Sequence, residues 1–189
     1  MNDTTTENPI TAESIIDFWY SDRIKSKWFN STEKLDKEIK DTYEQVWKDA
    51  IRGDYKDWKN TASGCLALAI IFDQFPLNMF RGEVESFSTE AMAVKITKHA
   101  VEKGFDEEIN KDQVSFLYMP LMHSENMDDQ NLAVDLFKKA ELTDNWKFAK
   151  HHRGIVEKFG RFPHRNEILQ RESSQDEIDY LNSDEAFTG

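Results

Sequence analysis

The chain has 189 residues, of which 39% are hydrophobic, 32% charged and 12% aromatic, and its formal net charge is −12. Its 13 Phe and 5 Trp are more than a disordered acidic chain carries, so a packed interior of one domain's size is expected despite a mean hydropathy of −0.72. A surface of this sign repels phosphate backbones and anionic headgroups, which excludes general nucleic-acid and membrane binding as starting hypotheses.

Residues 1–10 are polar and patternless and read as a flexible leader, with a single all-α domain over 11–189. Thr11 is a helix N-cap, followed by Ile15, Phe18 and Trp19 at helical spacing. A second helix starts near Asn30, carries Leu35, Ile39, Tyr43, Val46, Trp47 and Ala50 on one stripe, and stops at Gly53. Cys65 to Phe72 is almost uniformly apolar, which places it at the centre of the core, and Pro76 is expected to end it. A fourth helix runs from about Ser88 to Lys103 with Met92, Ile96 and Ala100 inward, and Gly104 terminates it. Asn110 with Gln113 resembles a capping box for a fifth helix that Pro120 should bend or shorten. Asp128 or Asp129 opens a sixth helix with Leu132, Leu136, Phe137 and Ala140. A seventh runs from Thr143 to Phe159, with Phe148, His152, Ile155 and Phe159 as its stripe. Pro163 opens a short eighth, and Ser174-x-x-Glu177 is a capping box before Ile178, Tyr180 and Leu181. The five Trp fall on these stripes or their flanks and are read as core. About eight helices packed as antiparallel pairs result, an all-α architecture.

Cys65 lies in an apolar run without a second cysteine or a nearby cation, so it reads as a small buried hydrophobe. The start lacks the charged and apolar regions of a secretory signal, and the longest apolar run is far shorter than the roughly 20 residues needed to span a bilayer. A reducing, cytoplasmic setting is the simplest expectation.

Two segments read Phe-x-x-Phe-Pro: Phe72 to Pro76 and Phe159 to Pro163. Each follows a helix with large apolar side chains, so both are read as helix exits and as a possible internal repeat. Around the second lies a concentration of His151, His152, Arg153, Arg161, His164, Arg165 and Arg171. Two readings stand side by side. These cations pair with the abundant carboxylates and knit the last helices to the first, or they form a local pocket for a carboxylate or phosphate. Asp73 and Gln74, at the end of a buried helix, need partners, and Arg81 or Arg161 are the natural ones. If the two Phe-x-x-Phe-Pro segments approach each other, Asp73, Asn78, Arg81, Arg161 and His164 line one groove. His123 and Glu125 lie about 200° apart on a continuous helix and converge only if the helix ends there. A metal site from His123, Glu125, His152 and His164 has neither HExxH nor paired-Cys spacing, so no metal and no other cofactor is expected.

Several longer elements occur together: Phe18-Trp19, Trp28-Phe29, Trp58, Asp73-Gln74-Phe75-Pro76-x-Asn78-x-Phe80-Arg81-Gly82, Tyr118-x-Pro120-x-x-His123-Ser124-Glu125, Gln130, His152-Arg153, and Phe159 to Asn166. With them the chain resembles the bacterial domain-of-unknown-function family 924 over nearly its whole length after the leader. The resemblance implies an all-α fold of the tetratricopeptide-like superfamily and brings no established reaction. Leu77 stands where that family usually has Arg, Gln113 where Arg is common, and Gln170 where Gly usually follows Leu.

The leading functional expectation is a binding module. Its polar groove takes a peptide, protein segment or small anionic ligand through Asp73, Asn78, Arg81, His152, Arg161, His164, Arg165 and Asn166. The alternative is a small hydrolase or proton-transfer enzyme with His123 or His164 as acid/base, oriented by Glu125 or Asp73. In a third reading the polar patches only hold the helices together. The partner is an unidentified protein or small molecule.

Overall fold

A computed structural model of the chain describes residues 9–187. The leader expected over residues 1–10 therefore lies, apart from Pro9 and Ile10, outside the described residues. These residues form α-helices with short 3-10 turns and no strand: α1 (Ala12–Trp19), α2 (Asp22–Lys25), α3 (Glu33–Arg52), α4 (Ala62–Met79), α5 (Glu90–Lys103), α6 (Lys111–His123), α7 (Met127–Lys139), α8 (Thr143–Phe159) and α9 (Gln175–Leu181).

Local chemistry sets most boundaries. Thr11 caps α1 through a reciprocal pair of hydrogen bonds with Ser14, and Ser174 does the same for α9 with Glu177. Thr32, not Asn30, caps α3, and the stripe Leu35, Ile39, Tyr43, Val46, Trp47 and Ala50 is buried as its spacing requires. Asn126 caps α7 by accepting from the N–H groups of Asp128 and Asp129 at 2.8 and 3.3 Å, so the helix opens a residue or two earlier than Asp128 suggested. The box expected at Asn110 is absent, because its side chain makes no bond to the helix backbone. The short α2, with Ile24 buried, has too few residues to show a period in the sequence.

α4 is the central element, packed against α1, α3, α5 and α6. Its length and composition would suffice to cross a membrane, yet 78% of that stretch is buried inside the protein. It is a core helix, one whose neighbours rather than lipid satisfy its apolar surface. Gly64 is required near its start, where an added Cβ would sit 2.0 Å from the carbonyl oxygen of Trp58.

Pro76 does not end this helix. The segment Ile70–Gln74 widens into a π-turn, with Phe75 N–H donating to Ile70 O, and the chain resumes α-helix from Phe75 to Met79. Proline lacks the N–H that would serve the carbonyl four residues earlier. That carbonyl belongs to Phe72, and the Thr89 hydroxyl donates to it instead at 2.7 Å, while Trp47 Nε1 donates to Thr89 Oγ1 at 3.1 Å. The two Phe-x-x-Phe-Pro segments are thus conformationally different. The first lies inside a helix, whereas the second is a true exit, where Gly160 (φ 73) ends α8 and Pro163–Arg165 makes one 3-10 turn in place of an eighth helix.

α6 runs through Pro120 to His123 without being shortened. Its last carbonyls are taken by side chains: Gln130 donates to Met122 O and Ser124 O, each at 2.7 Å, and Arg165 donates to His123 O at 2.8 Å. In α8 the buried face is Ala149, His152, Ile155 and Val156: His152 and Ile155 of the expected stripe are buried and Phe159 is half-buried, but Phe148 is 57% exposed and Ala149 takes its place. Trp146 beside it is half-buried beneath Lys150, whose Nζ is 3.6 Å from the ring centroid.

Thr89→Val removes the donor at the proline-vacated carbonyl and is expected to cost roughly 1–3 kcal/mol in urea unfolding. The same change in a Pro76→Ala background is expected to cost less, because the restored N–H of residue 76 serves Phe72 O; equal costs would refute this account of the π-turn.

Candidate functional site

The polar residues converge where the π-turn of α4, the start of α5, the end of α6 and the Pro163–Arg165 turn meet. The extra residue of the π-turn holds Asp73 and Gln74 buried against α6. π-turns are recurrent hosts of functional side chains for this reason. His123 Nδ1 lies 2.8 and 3.1 Å from the two carboxylate oxygens of Asp73, and Gln74 Nε2 donates to Oδ2 at 2.5 Å. His123, not Arg81 or Arg161, is therefore the partner that the buried carboxylate needed. An aspartate oxygen can only accept, so Nδ1 carries the proton and the His123 ring is held in one orientation.

Arg165 closes the other side. Its Nη1 donates to Glu90 at 2.7 Å and its Nη2 to His123 O, and its Cζ lies 4.6 Å from the ring centroids of both Phe87 and Phe162. The guanidinium is thus buried between two aromatic faces, with its Nε lacking a protein acceptor among the described residues. Burial pushes the Glu90 carboxyl above its usual range; the Arg165 cation and His123 oppose that rise, and Asp73 adds to it. Asp73, Glu90, His123 and Arg165, with Phe72, Leu77, Ser86 and Phe87, line a cavity of about 10 Å³. That is room for one water-sized group.

The remaining predicted residues fall into separate places. Asn78 donates to Gln74 O at 2.8 Å, and Arg81 turns away to Asp36, Nε to Oδ2 at 2.8 Å. Arg161 forks onto Glu177 at 2.7 and 2.8 Å and also reaches Glu172 O. Asn166 is buried and bonds Ser173 and Arg171. Glu125 receives an Arg171 fork at 2.6 and 2.9 Å and the Phe162 N–H at 2.8 Å, so it does not share a ligand with His123 although α6 does end between them. Burial raises the Glu125 carboxyl, but Arg171 and the Phe162 N–H outweigh it and hold it below the usual range. His152 and His164 lie apart from Asp73, in an aromatic cluster with Phe162 and Phe187. The single groove expected from Asp73, Asn78, Arg81, Arg161 and His164 is not formed, because each arginine finds a nearer carboxylate. Among the described residues no group of three or more His, Cys, Asp or Glu has the geometry to hold a metal.

Glu90 and Phe87 were missed by sequence reasoning. Glu90 looks like an ordinary acidic first-turn residue of α5, and nothing local marks it as the partner of an arginine far along the chain.

Residues 15–185 match the model of a family described as a bacterial protein of unknown function (DUF924). The chain belongs to this family. It is also similar to a solved structure of a protein of unknown function from Agrobacterium tumefaciens, at 36% identity and a TM-score of 0.85, covering 90% of this chain and 96% of that one. No curated protein matches. Gln170, where the resemblance led to an expectation of glycine, adopts φ 53, the left-handed region that glycine occupies without strain.

Gln170→Gly is expected to raise stability by about 0.5–1 kcal/mol in chemical denaturation, since relief of the left-handed strain exceeds the added freedom of the unfolded chain; a loss of stability would overturn that balance. The Arg161 fork is the main reason the Glu177 carboxyl falls to about 2. A carboxyl lowered on folding contributes stability that is complete above its unfolded value, about 4.5, and lost as pH falls towards 2. The difference in unfolding midpoint between the wild type and Glu177→Gln is therefore expected to shrink between pH 6 and pH 3, and a constant difference would remove the pair from the acid response.

Proposed function

We propose that this DUF924 protein is a binding module whose working site is the small cavity between Asp73, Glu90, His123 and Arg165. The ligand tip it fits best is a primary ammonium, as on a lysine side chain or a small amine. The observation behind this reading is the charge balance of a water-sized cavity: two carboxylates face it, and the one guanidinium present is already committed to Glu90 and to the end of α6. Leu77 lines the cavity at the position where the resembling family usually carries Arg, so a second cation is missing from the lining. A cation relieves the crowding of Asp73 and Glu90, whereas an anion adds to it. The net charge of −12 favours approach of a cationic ligand. The anionic ligand anticipated from the basic stretch has less support, because Arg81, Arg161, Arg165 and Arg171 each hold a carboxylate. A tetratricopeptide-like mode of protein binding and a cytoplasmic setting belong to the same proposal.

A second reading rests on the anchored imidazole. A histidine fixed by a buried aspartate is the arrangement used to hold a general base in one tautomer, so a hydrolytic activity would centre on His123. Glu125 and His164 have no place in that arrangement.

Titration calorimetry with N-acetyl-lysine amide, N-acetyl-serine amide and acetate separates these. Binding of the lysine derivative alone, weakened on the order of tenfold by Asp73→Asn or Glu90→Gln, is the expected result. Acetate binding, or lysine binding indifferent to both substitutions, would sink the ammonium site. Ester hydrolysis abolished by His123→Gln would favour the second reading.

A further inference from the structure

A different cluster, which adjoins the Asp73–His123 cavity across Phe162, concerns the last described residues. Beyond α9 the chain turns back, and Phe187 enters a recess walled by imidazole and aromatic rings. Its ring centroid lies 4.4 Å from His152, 5.1 Å from His164 and 6.4 Å from His151. The rings of His152 and His164 in turn lie 5.6 Å from Phe162, at the base of the recess. Edge-to-face geometry recurs in these contacts, with interplanar angles of 60° and 82° from Phe187 to His152 and His164. The backbone is fixed as well, since Phe187 N–H donates to Tyr180 Oη at 2.9 Å and Tyr180 packs its ring against Phe159.

We propose that this recess, formed by His151, His152, Phe162 and His164, is a docking site for an aromatic side chain carried on an extended peptide segment. The chain's own Asp184-Glu185-Ala186-Phe187 is its resident occupant. Two observations favour that occupant class. A segment of this composition is already seated there through one aromatic ring and one main-chain bond, the way a peptide ligand is held. The walls are also neutral contact surfaces. His152 Nδ1 lies 2.8 Å from Phe148 O, and a carbonyl only accepts, so this nitrogen carries the proton. Burial pulls His152 down to about 3 and His164 to about 4, the latter helped by Arg165. Around the two rings, Arg165, Arg171, His123 and His151, and His164 at His152, oppose protonation, while the Phe148 carbonyl favours it at His152 and Glu125 at His164. Neutral imidazoles present their faces and edges to an aromatic ring without a desolvation penalty of charge.

The test supplies the segment in trans. Full-length Phe187→Ala is titrated by fluorescence anisotropy with a labelled peptide of sequence Asn-Ser-Asp-Glu-Ala-Phe and with its counterpart ending in Ala. The Phe peptide is expected to bind the variant on the order of tenfold more tightly than the Ala peptide, as burial of one aromatic ring requires. The wild type, whose recess is filled, is expected to bind neither. Equal affinity for the two peptides, or wild-type binding as tight as that of the variant, would overturn the proposal. Should Phe187→Ala fail to fold, the imidazole C–H resonances of His152 and His164 are compared between wild type and Phe187→Leu. Loss of ring-current shifts at both is expected, and unchanged resonances would show that Phe187 does not occupy the recess in solution.

Discussion

The architecture around the candidate site depends on one buried cation. A guanidinium taken out of water is costly unless it is paired and hydrogen-bonded. At Arg165 the two faces are covered by Phe87 and Phe162, one nitrogen meets Glu90, and another meets the carbonyl that ends α6. These partners come from four places in the chain: the turn before α5, the start of α5, the end of α6 and the exit from α8. Arg165 therefore ties the C-terminal quarter of the protein to its central helices. It also supplies positive charge to the negative end of the α6 dipole.

The second constraint is the proline within the central helix. An unbroken α-helix would place the Pro76 ring against the carbonyl of Phe72. The π-turn and the Thr89 hydroxyl resolve this conflict, and the same widening presents Asp73 to His123. The local backbone accommodation and the polar site are one feature, and this is why a buried carboxylate that anchors the end of α6 lies within the most apolar helix of the protein.

The basic stretch near the C-terminal end takes on its meaning from the same accounting of charge. Arg161 with Glu177, Arg165 with Glu90, and Arg171 with Glu125 form three ion pairs that fix the path of residues 160–177. The Glu125–Arg171 pair holds both the N–H and the C=O of Phe162, which places that ring between Arg165 and the histidine recess. Two candidate sites thus share one structural residue while differing in character. One is charged and water-sized, the other aromatic and filled by the chain's own tail.

Some of this was legible because it depends on neighbours in sequence. The α3 stripe follows from 3.6-residue periodicity, and the caps at Thr11 and Ser174 follow from side chains that reach only three residues. The all-helical class follows from the same patterns together with the scarcity of glycine and proline. The sequence also marked Asp73, as a charge in an apolar segment that requires a partner, Arg165, as part of a local concentration of cations, and His123, as an ionisable residue near a helix end. What only the tertiary structure decided was which partners. Arg81 and Arg161 were equally suited to Asp73 by chemistry, but His123 arrives first because α6 ends beside the π-turn. Phe148 faces outward although its spacing suited the stripe, because the packing of α8 against α6 and α7 sets the helix rotation so that Ala149, about 100° further round, is buried with His152 and Ile155 instead. Periodicity and capping are short-range and were fixed along the chain. Pairing among many like candidates is a matter of distance in space, which folding alone supplies.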